Sequence, residues 1–589
     1  DAQSTCFSKI RHGTIAGQYD NAIELNAVQR ANPEMQKRVS NVIRAMSEAE
    51  ENPIVSIHDH GAGGHLNALS ELVEETGGLI HMDQLPVGDP TLSAKEIVGN
   101  ESQERMGIVI REEDIEHIRQ IADRERAPFY VVGETTGDHR FVFEQTDGVK
   151  PIDLAMEDMF GKAPRTVMTD RTVEETYEDV TYDQTQLDEY VERVLQLEAV
   201  ACKDWLTNKV DRSVTGKIAR QQCQGEIQLP LSDCGVVALD YRGRAGIATS
   251  IGHAPQAALV DPAAGSILSI AEALTNIVWA PLSEGLDSVS LSANWMWPCK
   301  NEGEDARLYR AVEACSDFAC SLGINIPTGK DSLSMTQKYG KDKVYSPGTV
   351  IISAGAEVSD IRKVVSPVLR TGIDSTVYYI DFSFDKLKLG GSAFAQSLDK
   401  IGKEVPTVQD SEYFANAFNA VQELINKELI LAGHDISAGG MITTMLEMNF
   451  ANTEGGLEVS LDEIPEKDLV KILFSENPGI LIQVEKTDEV EKILKKAGVA
   501  FIRLARPCDE RHLLIHKDGA DYQFFIDHLR DVWFESSYLL DCKQSGEKAA
   551  KDRFLNYKEQ PLQFHFPDSF TGTLAQYGIS ADRRTRSGV

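Results

Sequence analysis

The chain has 589 residues, of which 42% are hydrophobic and 26% are charged, and its formal net charge is −33. This length exceeds what one hydrophobic core can organise and predicts roughly three or four domains. The acidic charge argues against binding to nucleic acid or to an anionic membrane, because both require clustered Lys and Arg.

Small phosphorylated ligands stay compatible with this charge, because bound magnesium and helix N-termini can hold phosphates locally. An acidic, well-solvated surface is the simpler explanation for most of the charge. The sequence contains no run of 18 apolar residues and therefore predicts no membrane span. The nine cysteines are scattered, odd in number and without a C-x-x-C pair, which predicts a reducing cytoplasm and neither a zinc site nor a disulfide framework.

The first element that carries chemistry begins at residue 54. An apolar run of strand length, 54–57, precedes "HDHGAGG" (58–64), and an amphipathic helical pattern follows. The glycines permit a tight turn and a close approach of backbone to a ligand. Asp59, at the strand end, can hold magnesium while free helix N–H groups hold phosphate. The alternative is that this Asp only caps the helix.

The middle of the chain has a different character. Residues 151–204 are acidic and interrupted, with one amphipathic helix predicted over 182–197, and are interpreted as a connecting segment. The pattern then predicts a domain at 205–365, and its elements are a helix ending near 280, a strand at 288–295, a helix at 305–322 and a strand at 348–358.

The motif at 58–64 recurs as "HDISAGG" at 434–440. Each copy has a Glu thirteen residues after its His (Glu71 and Glu447), and "ERMGIVI" at 104–110 matches "ENPGILI" at 476–482. A layout shared over about fifty residues predicts a duplicated α/β lobe. The predicted domains are therefore 1–150 (first copy), 151–204 (connection), 205–365 (a different lobe), 366–535 (second copy) and 536–589 (a polar tail or linker).

The repeat also predicts that one lobe is missing before the first copy. If each repeated unit is one middle-type lobe followed by one His-Asp lobe, a middle-type lobe should precede the first copy. Only 57 residues precede His58. We therefore expect the chain to be a fragment or a shortened form of a longer protein.

Several stretches resemble the large, multidomain phosphoribosylformylglycinamidine synthases of purine biosynthesis. The resemblance lies in "AVQRANPEM" (27–35), "HDHGAGG", "GDPTLSAKEIVGNESQER" (88–105), "LTNKVDRSVTG" (206–216), "AEALTNIVWA" (271–280), "LSANWMW" (291–297), "TGKDSLSM" (328–335) and "HDISAGG". It runs along nearly the whole chain in one order.

The resemblance implies a fold and a reaction. The fold is α/β (α+β), with tandem lobes like those of aminoimidazole ribonucleotide synthetase: a duplicated C-terminal lobe and one N-terminal lobe. The reaction converts formylglycinamide ribonucleotide to the amidine with ATP, Mg²⁺ and ammonia, which a glutaminase domain releases from glutamine. No amidotransferase constellation can be assembled from these residues, so we expect that domain to be absent.

The resemblance also implies an auxiliary nucleotide site that holds ATP or ADP with magnesium. The implied metal ligands are Asp233, Glu272, Asn276 and Asp435, and Ser232 and Ser437 would contact the nucleotide. Glu272 and Asn276 are i and i+4 on a predicted helix, so they share a face and can share a metal. A solvated helix face is the alternative for that pair.

A second, synthase site is implied as well. Glu101, Ser102, Gln103 and Ser332 would contact the ribonucleotide, Gly329 would lie near ATP, and Asp59 would bind magnesium. Lys330 is assigned a catalytic role in neutralising phosphate charge, and the alternative is a surface Lys in a turn. His58 and His434 are as well suited to bracing their loops as to transferring protons.

Two other functions fit the same residues. Related ATP-binding enzymes of this superfamily phosphorylate thiamine monophosphate, form selenophosphate or dehydrate carbamoyl groups, although they are usually single units. The chain can also be a scaffold that binds nucleotide without turnover.

Overall fold

The structure is a computed structural model that describes residues 32–61, 63–99, 104–161, 167–173, 175–210, 212–213, 216–559 and 565–578. The chain divides into two units, one formed by residues up to 168 with 336–345 and the other by 169–335 with residues from 346 onward. Within the described residues, no helix is both long enough and apolar enough to cross a membrane.

In its described residues up to 168, the first unit combines five helices with two small sheets. The helices are α1 (Pro33–Ser47), α2 (Gly64–Leu72), α3 (Ala94–Val98), α4 (Ile115–Glu125) and α5 (Met156–Phe160). The strands are β1 (Ile54–Asp59), β2 (Gly78–His81), β3 (Met106–Ile110), β4 (Gly133–Thr135), β5 (Arg140–Glu144) and β6 (Ile152–Ala155). β1 and β3 form one antiparallel pair, and the other strands form a sheet in the order β4-β2-β5-β6.

Helix α1 illustrates how local sequence starts an element. The side chain of Asn32 accepts a hydrogen bond from the backbone N–H of Met35, and Pro33 occupies the first helical position. Val42 and Met46 then lie one turn apart and are buried in a cluster with α4. A second cluster, which includes Phe141 of β5, packs around the four-stranded sheet.

The second unit begins with helices and a six-stranded sheet. The helices are α6 (Leu187–Gln196), α7 (Asp204–Thr207), α8 (Pro255–Val260), α9 (Pro262–Ile277) and α10 (Glu304–Ser321). The strands are β7 (Ile218–Arg220), β8 (Cys223–Gln224), β9 (Leu229–Pro230), β10 (Gly235–Ala238), β11 (Gly246–Gly252), β12 (Ser290–Met296), β13 (Asn325–Ser332) and β16 (Thr349–Val358). Between β13 and β16 in the sequence lie β14 (Thr336–Tyr339) and β15 (Asp342–Tyr345), which form a hairpin that belongs to the first unit. The sheet order is β13-β12-β16-β11-β10-β7.

The rest of the second unit contains a seven-stranded sheet. Its strands are β17 (Thr376–Asp381), β18 (Ala432–Ile436), β19 (Gly456–Ser460), β20 (Gly479–Val484), β21 (Ile502–Cys508), β22 (His512–Lys517) and β23 (Ala520–Phe525). Its helices are α11 (Ala393–Ser397), α12 (Ser411–Asn426), α13 (Gly440–Phe450), α14 (Leu469–Phe474), α15 (Thr487–Lys496), α16 (Ile526–Ser545) and α17 (Glu547–Asn556). The sheet order is β18-β20-β17-β21-β19-β22-β23.

The two copies of the repeat have the same strand pattern. The antiparallel pair β1-β3 corresponds to β18-β20, and the sheet β4-β2-β5-β6 corresponds to β21-β19-β22-β23. In each sheet the second and third strands are parallel and the other pairs are antiparallel. The expected fold, a duplicated lobe with one lobe of a different type between the copies, is confirmed.

The structure differs from the expected boundaries at two places. Strand β6 lies beyond residue 150, where the first copy was expected to end. The boundary expected at 535 falls inside α16, and the segment after it continues as helix α17 and packs through Tyr557, which stacks on Phe534. Charged residues on the outer faces of these helices made the segment resemble a polar linker.

Candidate metal centre

Three elements of the second unit bring acidic side chains to one cavity of about 480 Å³. Asp233 lies in the turn that leads into β10, Asp435 lies in β18, and Glu272 lies in α9. Strand β18 is buried at every position. The strand therefore places its two polar residues, His434 and Asp435, in the protein interior.

The carboxylates surround His434. Its Nδ1 atom is 2.8 Å from Oδ1 of Asp233 and 3.4 Å from Oδ1 of Asp435, and its Nε2 atom is 3.1 Å from Oε2 of Glu447. The side chains of Asp233 and Asp435 are only 4% and 2% exposed. One ligand atom from each of Asp233, His434 and Asp435 lies within 4.8 Å of the others.

The charges in this cluster perturb one another strongly. Burial raises the pKa of Asp233 to about 7, although the charge of His434 opposes the increase. Burial, and then the charge of Asp435, raises the pKa of Glu272 well above its usual range. Burial lowers the pKa of His434, but the charge of Asp233 and hydrogen bonds to the carboxylates outweigh that effect and raise it. Negative charge is therefore concentrated in a place from which water is largely excluded.

The donor set fits a divalent cation. Oδ2 of Asp233 and Oδ2 of Asp435 are buried and accept no hydrogen bond from the described residues. A buried polar atom without a partner costs about 1–3 kcal/mol, so its retention calls for a ligand. Carboxylate and amide oxygens are the ligands that magnesium prefers.

Helix α9 contributes two oxygens one turn apart. The Nδ2 atom of Asn276 donates to Oε1 of Glu272 at 3.3 Å and to the carbonyl oxygen of Ile251 at 3.1 Å. Its Oδ1 atom is then the part of the amide that can face a cation. The predicted shared face of Glu272 and Asn276 is present, and both residues line the cavity.

All six residues assigned to the auxiliary site line this one cavity: Ser232, Asp233, Glu272, Asn276, Asp435 and Ser437. The Ser232 hydroxyl donates to the carbonyl oxygen of Gln221 at 2.6 Å. Ser437 also lines a neighbouring cavity of about 140 Å³, which shares His253 and Glu272 with the larger one. The walls of the smaller cavity include Ala254, Leu268 and Ile436.

Glu476, on the wall of the smaller cavity, was not assigned a role from the sequence. Its Oε1 atom accepts hydrogen bonds from the backbone N–H groups of Ala393 and Gly439, both at 2.8 Å. Ala393 begins α11, and Gly439 is the N-cap residue of α13. One buried carboxylate therefore caps two helices at the cavity wall. The sequence contained one signal for Glu476, because Glu104 occupies the matching position in the first copy of the repeat.

We expect the stability of the protein to fall with rising pH partly because of Glu476. Burial raises the pKa of Glu476 to about 7. A carboxyl whose pKa is higher in the folded state stabilises fully below its unfolded pKa, and this contribution is lost as the pH rises toward 7. Between pH 5 and 8, the free energy of unfolding measured with a chemical denaturant should fall by up to about 1.4 kcal/mol per pH unit. This decrease should be absent in Glu476→Gln. Equal slopes in both proteins would contradict this assignment.

Glu447 and Lys203 also line the larger cavity and were not assigned to it. The sequence signal for Glu447 was its thirteen-residue spacing from His434, because His58 and Glu71 have the same spacing in the first copy. In that copy, Nε2 of His58 is 2.5 Å from Oε2 of Glu71. Each histidine is thus held by the Glu thirteen residues later, which favours the bracing role over proton transfer.

The residues assigned to the synthase site are placed as follows. Asp59 lies at the end of β1 in the first unit, and its side chain is 73% exposed. Glu101, Ser102 and Gln103 lie outside the described residues. Gly329, Lys330 and Ser332 lie in β13 of the second unit, where Nζ of Lys330 donates to Oγ of Ser332 at 2.7 Å. The catalytic assignment of Lys330 and the binding assignments of the others stay predictions.

Gly329 lies so close to a neighbouring strand that there is no room for a side chain. A Cβ atom at this residue would lie 2.2 Å from the carbonyl oxygen of Ala293 in the neighbouring strand β12. Glycine is therefore required for the pairing of β12 with β13, whether or not ATP lies nearby.

Two family models match the chain. The model described as "AIR synthase related protein, C-terminal domain" matches residues 2–145 and 376–512. The model described as "FGAR-AT PurM_N-like domain" matches residues 202–357. The double match of the first model agrees with the duplicated lobe.

Curated relatives match nearly the whole chain. Phosphoribosylformylglycinamidine synthase of Homo sapiens is 36% identical over 571 residues, which are 93% of this chain and 42% of the relative. The enzyme of the same name from Dictyostelium discoideum is 35% identical over 581 residues, 92% of this chain and 43% of the relative. The chain thus spans about two fifths of the length of these relatives.

Solved structures show the same fold. Phosphoribosylformylglycinamidine synthase II of Thermotoga maritima matches with a TM-score of 0.56 at 17% identity, over 84% of this chain and 70% of that one. T. maritima PurL complexed with ATP and with FGAR gives TM-scores of 0.54 and 0.55, at 18% and 17% identity, over 84% and 83% of this chain and 69% and 67% of those. At these identities the similarity establishes the fold alone.

Proposed function

The chain is a homologue of the phosphoribosylformylglycinamidine synthases, and from this we propose that it takes part in the ATP-dependent conversion of formylglycinamide ribonucleotide to formylglycinamidine ribonucleotide. The homology supports C–N ligation as the reaction class. T. maritima PurL has been solved with ATP and with FGAR, which supports both substrates. The residues of the second unit carry the nucleotide-binding part of the proposal.

The cavity of the second unit is proposed to hold an adenine nucleotide with magnesium. Asp233, Glu272, Asn276 and Asp435 would bind the cation, which when bound would neutralise the nucleotide phosphates. The single observation that carries this assignment is the pair of buried Oδ2 atoms, on Asp233 and Asp435, without hydrogen-bond partners. Ser232 and Ser437 would contact the nucleotide, and the apolar walls of the smaller cavity suit its base.

The proposed reaction needs positioned charges rather than a protein nucleophile. ATP transfers its γ-phosphoryl group to the amide oxygen of the substrate, ammonia attacks the amide carbon, and inorganic phosphate leaves. Donors fixed in advance lower the barrier of such a step. Ammonia is proposed to come from glutamine through a glutaminase domain or partner. A reducing cytoplasm is proposed as the compartment, and the eight cysteines among the described residues are all free thiols.

A nucleotide-binding scaffold without turnover is the second candidate function. The observation that favours it is the contrast between the repeat copies: the Asp59 side chain is 73% exposed, whereas that of Asp435 is 2% exposed. Among the residues that the structure describes, the second copy alone then has the buried, charge-dense surroundings that hold a cation tightly. Another ATP-dependent reaction of the same superfamily would fit the fold equally well.

Turnover by the whole chain separates these candidates. With ATP, formylglycinamide ribonucleotide and ammonium chloride, a synthase should release ADP and phosphate only when all three are present. Asp59→Asn should then lower the rate at least about 100-fold and leave retained nucleotide unchanged, because the two aspartates serve different sites. Hydrolysis that does not depend on the ribonucleotide, or no hydrolysis, would show that this chain alone is not a synthase and would favour the scaffold for it.

A further inference from the structure

Residues 197–203 form a loop that joins α6 to α7 and supplies part of the wall of both cavities of the second unit. Ala199 lines the smaller cavity, and Lys203 lines the larger one. The sequence assigned no role to any residue of this loop, because it lies at the end of a segment that was interpreted as a connection. What holds the loop in place therefore bears on the shape of the cavities.

The position of Lys203 depends on the shape of the loop. Its Nζ atom donates hydrogen bonds to the carbonyl oxygens of Glu198 and Ala201. Burial lowers the pKa of Lys203, and the carboxylate of Glu447 on the cavity wall acts in the opposite direction. A displaced loop would therefore move both a positive charge at the larger cavity and an apolar wall of the smaller one.

Helix α16 holds the backbone of this loop, although it lies far along the sequence. The N–H group of Cys202 donates to the carbonyl oxygen of Trp533 at 3.0 Å, and Nε1 of Trp533 donates to the carbonyl oxygen of Val200 at 2.9 Å. Just after the loop, the N–H group of Trp205 donates to Oγ of Ser537 at 2.8 Å. The conformation of the loop is thus set by α16 as well as by its own sequence.

Helix α17 adds an ion pair at the end of the loop. Asp204 follows Lys203 directly, and its Oδ1 and Oδ2 atoms accept from Nη2 and Nε of Arg553 at 2.7 and 3.1 Å. The side chain of Asp204 is only 6% exposed. Two hydrogen bonds between one guanidinium and one carboxylate fix orientation as well as distance. The residue next to Lys203 is therefore held by α17.

Aromatic packing fixes Arg553 itself. Phe554, the next residue, stacks on Tyr538 of α16 with ring centroids 5.1 Å apart. Tyr557, just after α17, stacks on Phe534 of α16 with centroids 3.9 Å apart. The loop, α16 and α17 are thus joined directly to one another, and a change in the position of α17 would reach the cavity wall through Arg553.

We propose that Arg553 is a positioning residue for the nucleotide cavity: by binding Asp204 it fixes the 197–203 loop, and it makes α17 part of the nucleotide site. This inference rests on the proposed binding of a nucleotide with magnesium in that cavity. Coupling of this kind is reciprocal, so a nucleotide that requires the loop in this position also stabilises the attachment of α17.

Arg553→Met in the whole chain tests the proposal, because it removes the guanidinium and keeps an unbranched side chain. Calorimetric titration with Mg²⁺ and ADP, after removal of bound nucleotide, should show an affinity at least about tenfold lower, as is typical when a group that orients ligands is lost. Arg553→Lys, which keeps the charge but not the paired hydrogen bonds, should give an intermediate affinity.

Lys558→Met is the matched control. Lys558 lies in the same C-terminal segment and is 2.9 Å from Asp531 of α16. Its loss should weaken the attachment of this segment to α16 and leave the 197–203 loop unchanged. We expect wild-type affinity for Mg²⁺ and ADP in this variant. An equal loss of affinity in Lys558→Met would show that general packing of the segment, and not the link to the loop, carries the effect.

A double variant keeps the test valid if the single variant does not fold. Asp204→Asn combined with Arg553→Met leaves no buried charge unpaired, which is the main cost of removing Arg553 alone. This double variant should fold and should still bind Mg²⁺ and ADP at least about tenfold more weakly than the wild type. Wild-type affinity in the double variant would overturn the proposal, because it would show that the link between α17 and the loop is not needed.

Hydrogen exchange provides a readout that a purely stabilising residue would not change. Addition of Mg²⁺ and ADP should slow exchange in residues 547–556 of the wild type, and this protection should be lost in the double variant. Exchange in 547–556 that does not respond to the nucleotide, although the wild type binds it, would overturn the proposal. A wild type that binds no Mg²⁺ and ADP would instead refute the nucleotide site itself, and the inference with it.

Discussion

Replacing Asp435 with Asn is expected to abolish the stabilisation of the protein by Mg²⁺ and ADP. The substitution keeps the size of the side chain but removes the charge from one of the two buried oxygens that have no hydrogen-bond partner. Mutation of residues that only support metal ligands already lowers affinity by about 10–100-fold, so loss of a ligand should exceed roughly 100-fold. Calorimetric titration of Mg²⁺ and ADP measures the affinity, and thermal unfolding measures the stabilisation.

The same variant should unfold at an unchanged or higher temperature when metal and nucleotide are removed by chelation and desalting. Asp435 repels the carboxylate of Glu272, whose pKa it helps to raise, so its neutralisation relieves a cost in the empty protein. Asp509→Asn, at an exposed position of the same lobe, is the matched control and should behave like the wild type. If Asp435→Asn retains wild-type affinity for Mg²⁺ and ADP, the residue is not a ligand.

Replacing Glu476 with Ala should destabilise the protein by about 2–4 kcal/mol. The change leaves the N–H groups of Ala393 and Gly439 without their shared acceptor, and each unsatisfied buried donor costs roughly 1–3 kcal/mol. The loss should be visible in urea unfolding as a lower midpoint with an unchanged slope. Nucleotide affinity should fall as well, because α13 follows β18 and its N-terminus forms part of the cavity wall.

Glu476→Gln separates capping from charge. The Gln side-chain oxygen can accept from both N–H groups, so this variant should keep most of the stability at pH 7. Wild-type stability in Glu476→Ala would show that the two helix N-termini find other partners and that Glu476 does not organise the cavity. Equal losses in the Ala and Gln variants would show that charge, rather than capping, carries the effect.

Local pattern predicted the strand, turn and helix of each repeat copy, because apolar periodicity and glycine placement act over a few residues. It also predicted that Glu272 and Asn276 share a helix face, and the helix shows this directly. The repeat predicted that the chain contains two copies of one α/β lobe. These features depend on residues close in sequence, or on a comparison within the chain.

Burial could not be predicted in the same way. Asp59 and Asp435 lie in similar motifs, "HDHGAGG" and "HDISAGG", yet one side chain is exposed and the other is buried. The difference arises because the turn before β10 and helix α9, both far from Asp435 in sequence, cover the second copy. Glu476 was missed for a related reason, since the two N–H groups that it caps lie in different helices. The boundary at 535 was misplaced because α16 and α17 expose charged faces.

The nucleotide content of the purified protein shows directly whether the cavity of the second unit is a nucleotide site. The protein is denatured with acid, and the supernatant is analysed by ion-exchange chromatography for ADP and ATP. We expect about one adenine nucleotide per wild-type chain and none in Asp435→Asn. A wild-type protein that carries no nucleotide, and that also fails to bind Mg²⁺ with ADP in a titration, would contradict this assignment.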